Sequence, residues 1–319
     1  MANNNGNCCV LGGTGFLGKT LVAQLCRSGR TVQVVGRGPA LANLPTGATY
    51  VRANLGDPAS LRGLFASASE VIDLVYGSVP KTSFEDPFAD IQNNLPATLA
   101  VMEELARSRV ERFIYVSSGG TVYGEASSLP ISEEHLTRPI SPYGVSKLAS
   151  ERYADLYRIC RDVPSIIARP GNAYGEHQAG NVGQGFIATA MWCCLHQKPV
   201  TIFGERGTTR DYIHVEDIAT ALLALLDKGL VGDTYNIGTG IGTDNRQIID
   251  LVAIMADHSG IAAPQVEIMP SRPFDVKSNV LDASKLELVT GWQPSIDLHE
   301  GIQRCWGYML DIHAARSLS

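Results

Sequence analysis

Short apolar runs and helical apolar patterns alternate along the first half of the chain. The runs fall at residues 7–11, 31–35, 50–55, 71–76, 113–116 and 166–169. Each is continuous rather than alternating, as in the strands of a parallel sheet that is buried on both faces. Between the runs, apolar residues return at helical spacing. The pattern predicts an α/β fold of the Rossmann type, a doubly wound parallel sheet with ligands at the carboxyl ends of its strands.

Three of the intervening helices can be placed by their end signals and spacing. A helix over residues 58–64 begins after Asp57-Pro58, and a helix from Ser141-Pro142 continues through Tyr157. A long helix is predicted over residues 86–109, with irregularities at Asn94 and Pro96. Its spacing predicts that five apolar side chains point inward: Ile91, Leu95, Leu99, Met102 and Leu105.

After residue 170 the local composition changes, with more glycines and polar clusters. We predict a dinucleotide-binding domain over residues 1–170 and a smaller C-terminal α/β substrate-binding domain over residues 171–319, with segments near 205–240 returning to the first domain. Helices are expected at 184–196, 245–258, 284–288 and 298–309, and strands at 199–203 and 233–237. The polar start, residues 1–7, is predicted to be a disordered arm.

Composition excludes several classes of protein. The chain has 319 residues, 45% hydrophobic and 18% charged, as in an ordinary globular protein. A net charge of −6 gives no basic footprint for nucleic acid. No segment approaches the roughly 18 apolar residues that span a bilayer. Seven cysteines without metal-ligand spacing indicate reduced thiols in a cytoplasmic protein. The expected partner is a small molecule, with no metal.

A glycine-rich turn follows the first apolar run. Gly12, Gly15 and Gly18 lie between that run and a helical pattern, which is the context of a dinucleotide-binding fingerprint. Glycines permit close backbone approach, and the helix N-terminus offers free N–H groups to a pyrophosphate. The sequence therefore predicts a nucleotide site here.

The choice of dinucleotide is left open by the next strand. An NAD site calls for a carboxylate about twenty residues after the fingerprint. The first Asp or Glu of this chain is Asp57, and Gly36-Arg37 occupies the expected place. Because Arg37 can pair with a 2′-phosphate, the residues favour NADP, although Arg37 can equally stack on adenine or face solvent. Asn54 lies where its amide can face an adenine edge.

A tyrosine and a lysine four residues apart lie on one face of the helix that begins at Ser141-Pro142. A neighbouring cation such as Lys147 favours the phenolate of Tyr143 and brings its pKa toward working pH, which would make Tyr143 a base. Such a pair is also common on helix surfaces. Ser118 and Thr121 follow a predicted strand end shortly upstream, and the alternative there is a loop without chemistry.

Two arginines in the second half, Arg210 and Arg272, are flanked by turn-like or strand-end sequence. A pair of guanidinium groups is a common clamp for a diphosphate, and exposed surface arginines are the competing interpretation.

Five motifs in order resemble the extended short-chain dehydrogenase/reductase family. They are the glycine turn at 12–18, the segment 117–124, Tyr143 with Lys147, the segment 169–175 and the segment 210–215. The likeness is to the NAD-dependent epimerase/dehydratase branch, especially UDP-glucose 4-epimerase-like enzymes. It implies NAD as the cofactor, a nucleotide sugar as the substrate, and a homodimer through helices near 86–109 and 144–161.

The resemblance also implies residue roles. The cofactor would contact Gly12, Thr14, Gly15, Phe16, Leu17, Gly18, Arg37, Asn54, Leu55, Asn94, Ser117, Tyr143, Lys147 and Pro170. The substrate would contact Thr121, Tyr143, Asn172, Arg210, Arg272 and Asp275. Tyr143 would take the proton of the sugar 4-hydroxyl while hydride leaves C4, and the 4-keto sugar would turn over and be reduced on its other face.

Two positions depart from the family pattern. The usual catalytic Ser or Thr falls on Gly119, so Ser118 or Thr121 must supply its hydroxyl. Gly36 replaces the usual acid. A nucleotide-sugar 4-ketoreductase that uses NADPH is therefore the rival enzyme, and a non-catalytic cofactor-sensing protein is the rival of another class. A 4,6-dehydratase is disfavoured, because Gly120 and Thr121 stand where it would need further acid and base groups.

Overall fold

The computed structural model describes residues 6–39, 43–178, 185–272 and 275–317. Its strands are β1 Asn7–Leu11, β2 Thr31–Gly36, β3 Ala48–Arg52, β4 Glu70–Asp73, β5 Arg112–Val116, β6 Ser165–Pro170, β7 Asn172–Tyr174, β8 Val200–Phe203, β9 Thr209–His214, β10 Thr234–Ile237, β11 Gly242–Asp244, β12 Val266–Met269 and β13 Ser278–Asn279. Its helices are α1 Phe16–Arg27, α2 Pro58–Leu61, α3 Pro80–Glu85, α4 Pro87–Leu105, α5 Gly119–Val122, α6 Pro142–Arg161, α7 Phe186–Leu195, α8 Val215–Lys228, α9 Asn245–His258, α10 Ser284–Thr290 and α11 Leu298–Ser317.

Seven strands form one parallel sheet in the order β10-β6-β5-β4-β1-β2-β3. The chain builds outward in one direction from β1 to β3 and in the other from β4 to β10. The order therefore reverses between β1 and β4, which is where ligands bind in sheets of this kind. The predicted doubly wound Rossmann-type fold is confirmed.

The strand β1 shows why the apolar runs are continuous. Cys8 and Val10 belong to a core shared with α1 and α8, while Cys9 and Leu11 belong to a second core on the opposite face, shared with α4. Successive side chains of a strand point to opposite faces, so a sheet covered on both sides needs apolar residues at every position.

The second half of the chain contributes to both parts of the molecule. Helix α8 packs against α1, and β10 pairs with β6, so residues 215–237 complete the large sheet. The remaining strands form small sheets around β9 and between β8 and β12. Helices α7, α9 and α11 enclose a third core that includes Met191, Ile248 and Trp306. The domain boundary at residue 170 stays a prediction.

The inward face of α4 differs from the prediction. Ile91 is 51% exposed, and Leu95 and Leu99 are half-buried. The side chains that are buried along its first turns are polar, Asp90, Asn94 and Thr98. The apolar spacing predicted the wrong inward side chains for these turns, because this face of α4 packs on α6 through hydroxyl groups, for example Thr98 with Ser150.

Several predicted ends were wrong by a few residues. The strand predicted over 71–76 spans Glu70–Asp73, and the one predicted over 50–55 spans Ala48–Arg52. Helix α2 stops at Leu61, residues 119–122 form a helical turn, and α11 runs on to Ser317. The first residue of the helix predicted over 184–196, and the predicted arm at residues 1–5, lie outside the described residues.

Candidate active site

The start of α6 is held from two sides. The Ser141 hydroxyl caps the helix by accepting a hydrogen bond from the Gly144 N–H at 3.1 Å. Pro142 has no N–H to satisfy. The next free N–H, that of Tyr143, donates to the hydroxyl of Ser83 in α3 at 3.1 Å, and Ser83 is completely buried. These contacts fix the first turn of α6, and with it the direction in which the Tyr143 side chain leaves the backbone.

Tyr143 meets a hydroxyl from the end of β5. Burial of the phenol raises the pKa of Tyr143 to about 12, and the nearby Ser118 hydroxyl opposes this increase. The buried carboxylate of Asp90 adds to the increase. In the protein alone the phenol is therefore neutral near pH 7, and the prediction that Lys147 favours its phenolate stays a prediction.

The Lys147 ammonium is held at the end of β5. Its Nζ donates to the Val116 carbonyl at 2.8 Å and lies 4.2 Å from the centre of the Tyr76 ring. The side chain is 3% exposed. Burial lowers the pKa of Lys147 to about 8, against the opposing effect of Asp73 and other carboxylates. Lys147 thus ties α6 to the end of β5, next to Ser117 and Ser118.

Gly119 does not face the site. A Cβ built on it would lie 2.6 Å from a methyl of Leu281 and 2.8 Å from the Arg169 carbonyl, so this position points into packed protein. The neighbouring Ser118 hydroxyl lies near enough to the Tyr143 phenol to lower its pKa. The Thr121 hydroxyl turns back toward the Ser118 carbonyl, at 3.5 Å. Of the two candidates that the sequence offered, Ser118 is the one that the structure brings to Tyr143.

A buried carboxylate, which the sequence analysis missed, organises the floor of the site. Asp90 of α4 is 2% exposed and accepts hydrogen bonds from the hydroxyls of Ser146, in α6, and Ser78. Tyr76 donates to Ser146 at 2.7 Å. The signal available in the sequence was the polar repeat Asp90, Asn94 and Thr98, one side chain per helical turn.

Asn94 acts through this network. Its amide donates to the Asp90 carbonyl at 2.7 Å and to the Ser78 hydroxyl at 3.1 Å, and its oxygen accepts the Gly77 N–H at 2.6 Å. It fastens the segment after β4 to α4. The cofactor contact that the resemblance implies for Asn94 stays a prediction, and its hydrogen bonds reach α6 through Asp90 and Ser146.

The glycine turn runs very close to the start of helix α1. A Cβ on Gly18 would lie 2.3 Å from the Gly12 carbonyl, so only glycine allows this close passage of turn and helix. Gly12 has φ +81°, and Gly15 precedes the first helical residue, Phe16. Thr14 and Leu17 lie beside them in the same turn. The N-terminus of α1 opens at this point, as a pyrophosphate site requires.

An unsatisfied hydroxyl lies near the end of β5. Ser117 is 4% exposed, and its Oγ has no hydrogen-bond partner among the described residues. A buried hydroxyl without a partner is costly, and a ligand group would remove that cost. With the glycine turn, this shows that the residues fit a dinucleotide. Pro170 ends the neighbouring strand β6, next to β5 in the sheet.

The outer edge of the crevice carries two arginines. Arg37 follows β2 and is exposed, and the Arg52 guanidinium at the end of β3 donates to the Arg37 carbonyl at 2.9 Å. A Cβ on Gly36 would come within 3.1 Å of the Thr14 hydroxyl and 3.2 Å of the Tyr50 hydroxyl. The end of β2 is therefore closely packed at position 36, where glycine replaces the family's usual acid.

Asn54 and Leu55 lie beyond this edge. The Asn54 side-chain oxygen accepts the Gly56 N–H at 3.2 Å and is exposed, and Leu55 is buried. Their contact with an adenine stays a prediction.

The predicted substrate residues lie on the C-terminal side. Arg210 of β9 is half-buried, burial lowers the pKa of its guanidinium, and it donates to the Thr209 carbonyl at 2.8 Å. Arg272 pairs with Asp275 at 2.8 Å and lies over the Phe203 ring. Pro273 and Phe274, between these partners, lie outside the described residues.

Asn172 begins β7 and connects the substrate side with the Ser118 segment. A Cβ on Gly120 would lie 3.1 Å from the Asn172 side-chain oxygen. The two segments therefore approach closely where β5 and β6 end.

Residues 8–238 match the NAD dependent epimerase/dehydratase family. The chain belongs to this family. It is 32% identical over 92% of its length to a UDP-glucose 4-epimerase of Mycolicibacterium smegmatis, of which 96% is covered. It is also 32% identical over 92% of its length to a GDP-6-deoxy-D-mannose reductase of Pseudomonas aeruginosa, covered to 94%.

Among solved structures, the fold is similar to a UDP-glucose 4-epimerase of Thermus thermophilus in complex with NAD. The TM-score is 0.87 at 32% identity, covering 95% of this chain and 99% of that chain. Family membership confirms that the chain is an NAD(P)-dependent enzyme of the short-chain dehydrogenase/reductase type.

Metal sites and membrane spans are both absent from the part of the chain that the structure describes. These residues contain no group of three or more His, Cys, Asp or Glu side chains that could hold a metal. They also contain no helix that is long and apolar enough to cross a membrane.

We predict that Gly119→Ser lowers the free energy of unfolding by about 1–3 kcal/mol, because the new side chain overlaps Leu281 and the Arg169 carbonyl. Gly120→Ser is the matched control and should cost less, since its Cβ meets only the movable Asn172 amide. Urea unfolding followed by circular dichroism measures both. Equal stabilities of the parent and Gly119→Ser would show that position 119 faces open space.

Proposed function

We propose that the protein is a nucleotide-sugar 4-epimerase whose substrate is a UDP-hexose. The observation that carries this proposal is the contact between Ser118 and Tyr143 at the carboxyl end of β5, beside Lys147 and next to a dinucleotide-shaped turn. The identity to UDP-glucose 4-epimerases supports it.

The residues of this chain divide the work as follows. Tyr143 receives the proton of the sugar 4-hydroxyl and returns it, and Ser118 hydrogen-bonds the phenol and steadies the sugar oxygen as its charge changes. Bound nicotinamide would supply the hydride acceptor at C4, and its positive charge would favour the Tyr143 phenolate. Lys147 holds a second positive charge close to the same place.

The diphosphate and uridine are assigned to the C-terminal side. Arg210 is a guanidinium taken out of water, so an anionic ligand group would compensate for its lost hydration. Arg272 and Asp275 form an ion pair that can present both a donor and an acceptor, as a phosphate and a ribose hydroxyl require. Asn172 lies between this region and Ser118.

For the cofactor we propose NAD, as the family description indicates. The Arg37 and Arg52 edge also suits a 2′-phosphate, and this favours the second candidate, an NADPH-dependent nucleotide-sugar 4-ketoreductase. The identity to a GDP-6-deoxy-D-mannose reductase equals that to the epimerase, so only measurement separates the two. A non-catalytic sensing role is disfavoured by the buried Lys147 ammonium close to Tyr143, an arrangement that no sensing function requires.

We further propose a homodimer through α4 and α6. These helices pack together and leave apolar side chains exposed on their outer faces, at Phe88, Ile91, Val145, Leu156 and Ile159. Exposed apolar patches of this kind mark interfaces. A cytoplasmic location is supported by the seven free thiols, of which five are buried.

The parent protein, incubated with UDP-glucose and no added reductant, should yield UDP-galactose. Tyr143→Phe should lower kcat by about 10²–10⁴-fold, because the proton acceptor is lost. Tyr153→Phe, ten residues further along α6, is the matched control and should turn over normally. Chromatography of the sugar nucleotides measures both. An active Tyr143→Phe enzyme would remove the assignment of the base, and NADPH consumption with a 4-keto sugar would favour the reductase.

Ser118→Ala should reduce kcat by about 10²-fold, as loss of one hydrogen-bond donor at a reacting oxygen typically does. Thr121→Val should reduce it by less than about tenfold, because the Thr121 hydroxyl is directed at a backbone carbonyl. The comparison uses initial rates at saturating substrate. The reverse order of the two losses would assign the sugar oxygen to Thr121.

Arg37→Glu should weaken NADP binding by about tenfold or more and change NAD binding by less than about threefold, because only NADP brings a 2′-phosphate to this edge. Calorimetry of the cofactor-free protein with each dinucleotide gives the two dissociation constants, with Arg246→Glu on α9 as a charge-matched control. Parallel losses for both cofactors would mean that Arg37 does not meet the 2′ position.

A further inference from the structure

One aromatic residue contacts both members of the Tyr143 and Lys147 pair. Tyr76 lies in the segment after β4, at the point where the strand order reverses. Its ring centre is 4.9 Å from that of Tyr143, edge to face at 74°, and the Lys147 Nζ lies 4.2 Å above the same ring. Tyr76 is thus placed to influence the pair without itself being the proton acceptor.

The Tyr76 ring is held in this position by its own hydroxyl. The hydroxyl donates to Ser146 at 2.7 Å, and Ser146 lies in α6 between Tyr143 and Lys147. Ser146 in turn donates to the buried Asp90 carboxylate, and its Oγ lies 2.9 Å from the Pro142 carbonyl oxygen. The ring therefore cannot move without breaking a chain of hydrogen bonds that also fixes α6.

The ring matters because Lys147 has lost nearly all of its water. Its hydrogen bond to the Val116 carbonyl uses one of three N–H donors. An aromatic face within about 6 Å attracts a cation, and more strongly when the cation is desolvated. The Tyr76 face is nearer to Lys147 than that of Tyr115, which is 5.0 Å away.

We propose that Tyr76 is a positioning residue for the reaction, and that its ring keeps the buried Lys147 ammonium charged and pointed at the end of β5. The inference rests on the proposed function, since a charged Lys147 matters there for the phenolate of Tyr143. It assigns the ring to Lys147 and the hydroxyl to α6, two tasks that substitution can separate.

Other ionisable groups face Lys147 and enter the same balance. They are Asp73 at the end of β4, Asp90 in α4 and Glu151 in α6, all of which raise the Lys147 pKa, and the phenols of Tyr115 and Tyr143. Tyr76→Phe and Tyr76→Leu both lose the hydroxyl contact to Ser146 and keep these groups, so a difference between the two variants reports the ring.

The test is a direct titration of Lys147. In protein labelled with ¹³C at the lysine Cε, the Lys147 signal is identified by its loss in Lys147→Met and followed against pH by NMR, without cofactor or substrate. The parent should titrate with a pKa of about 8. The pKa in Tyr76→Phe, which keeps the ring, should stay within about 0.3 units, and in Tyr76→Leu, which is apolar without a π face, it should fall by about one unit.

The activity profile gives a second readout. With UDP-glucose, the alkaline limb of kcat should move down by the same amount in Tyr76→Leu and stay in place in Tyr76→Phe. Tyr76→Met serves as the second ring-free variant if Tyr76→Leu does not fold. A Lys147 pKa that is unchanged or raised in the folded ring-free variants, or that falls equally in Tyr76→Phe, would overturn the inference.

The two proposals fail separately. If the parent protein does not epimerise any UDP-hexose, the proposed function fails while the NMR titration still tests the ring. If the parent is active and the titrations do not separate the two variants, the function stands and the inference is wrong.

Discussion

The molecule is arranged around one constraint. A phenol and an ammonium at the start of one helix are both shielded from water. Lys147 is buried, and its pKa falls to about 8, while burial raises the pKa of Tyr143 to about 12. In the protein alone, burial therefore favours the neutral form of each partner. In the proposed mechanism the base must be negative beside a positive cation, so further charge is needed, and bound nicotinamide would supply it.

Holding such a pair requires that α6 be fixed along its length. At its start, Ser83 and the Asp90 network engage Tyr143 and Ser146. Further along, Glu151 forms a buried ion pair with Arg169 of β6 at 2.6 Å, with both side chains at most 5% exposed. Arg169 also donates to the Tyr123 hydroxyl at 2.9 Å, which anchors the segment that carries Ser118. Hydroxyl, carboxylate and guanidinium contacts thus connect Tyr143, Lys147 and Ser118 into one rigid frame.

The sequence was sufficient for the fold because apolar periodicity reports burial on two faces, and because the glycine turn, Ser141-Pro142 and the Tyr143 and Lys147 spacing are local patterns. The sequence was insufficient to predict the packing where the buried side chains are polar. The inward face of α4 was assigned to Ile91 although Asp90 and Asn94 occupy it, since apolar spacing cannot detect a helix that packs through hydrogen bonds. The sequence also contained no sign that burial raises the pKa of Tyr143. Spacing predicts that two side chains share a face, but not whether solvent reaches them.

Gly119 shows how one packing contact redirects a functional group. The family pattern places a hydroxyl at this position, but the Arg169 carbonyl and Leu281 fill the space that its side chain would need. The preceding residue, Ser118, leads into the short helix α5 in an extended conformation at φ −152°, and its side chain meets Tyr143 instead of that packing. In the proposed mechanism, the direction in which the hydroxyl points from this turn decides whether it can act on the sugar. A shift of one residue, from 119 to 118, changes that direction. A motif defines the segment that carries the group, whereas the neighbours of that segment, here β6 and Leu281, decide which residue of it reaches the substrate.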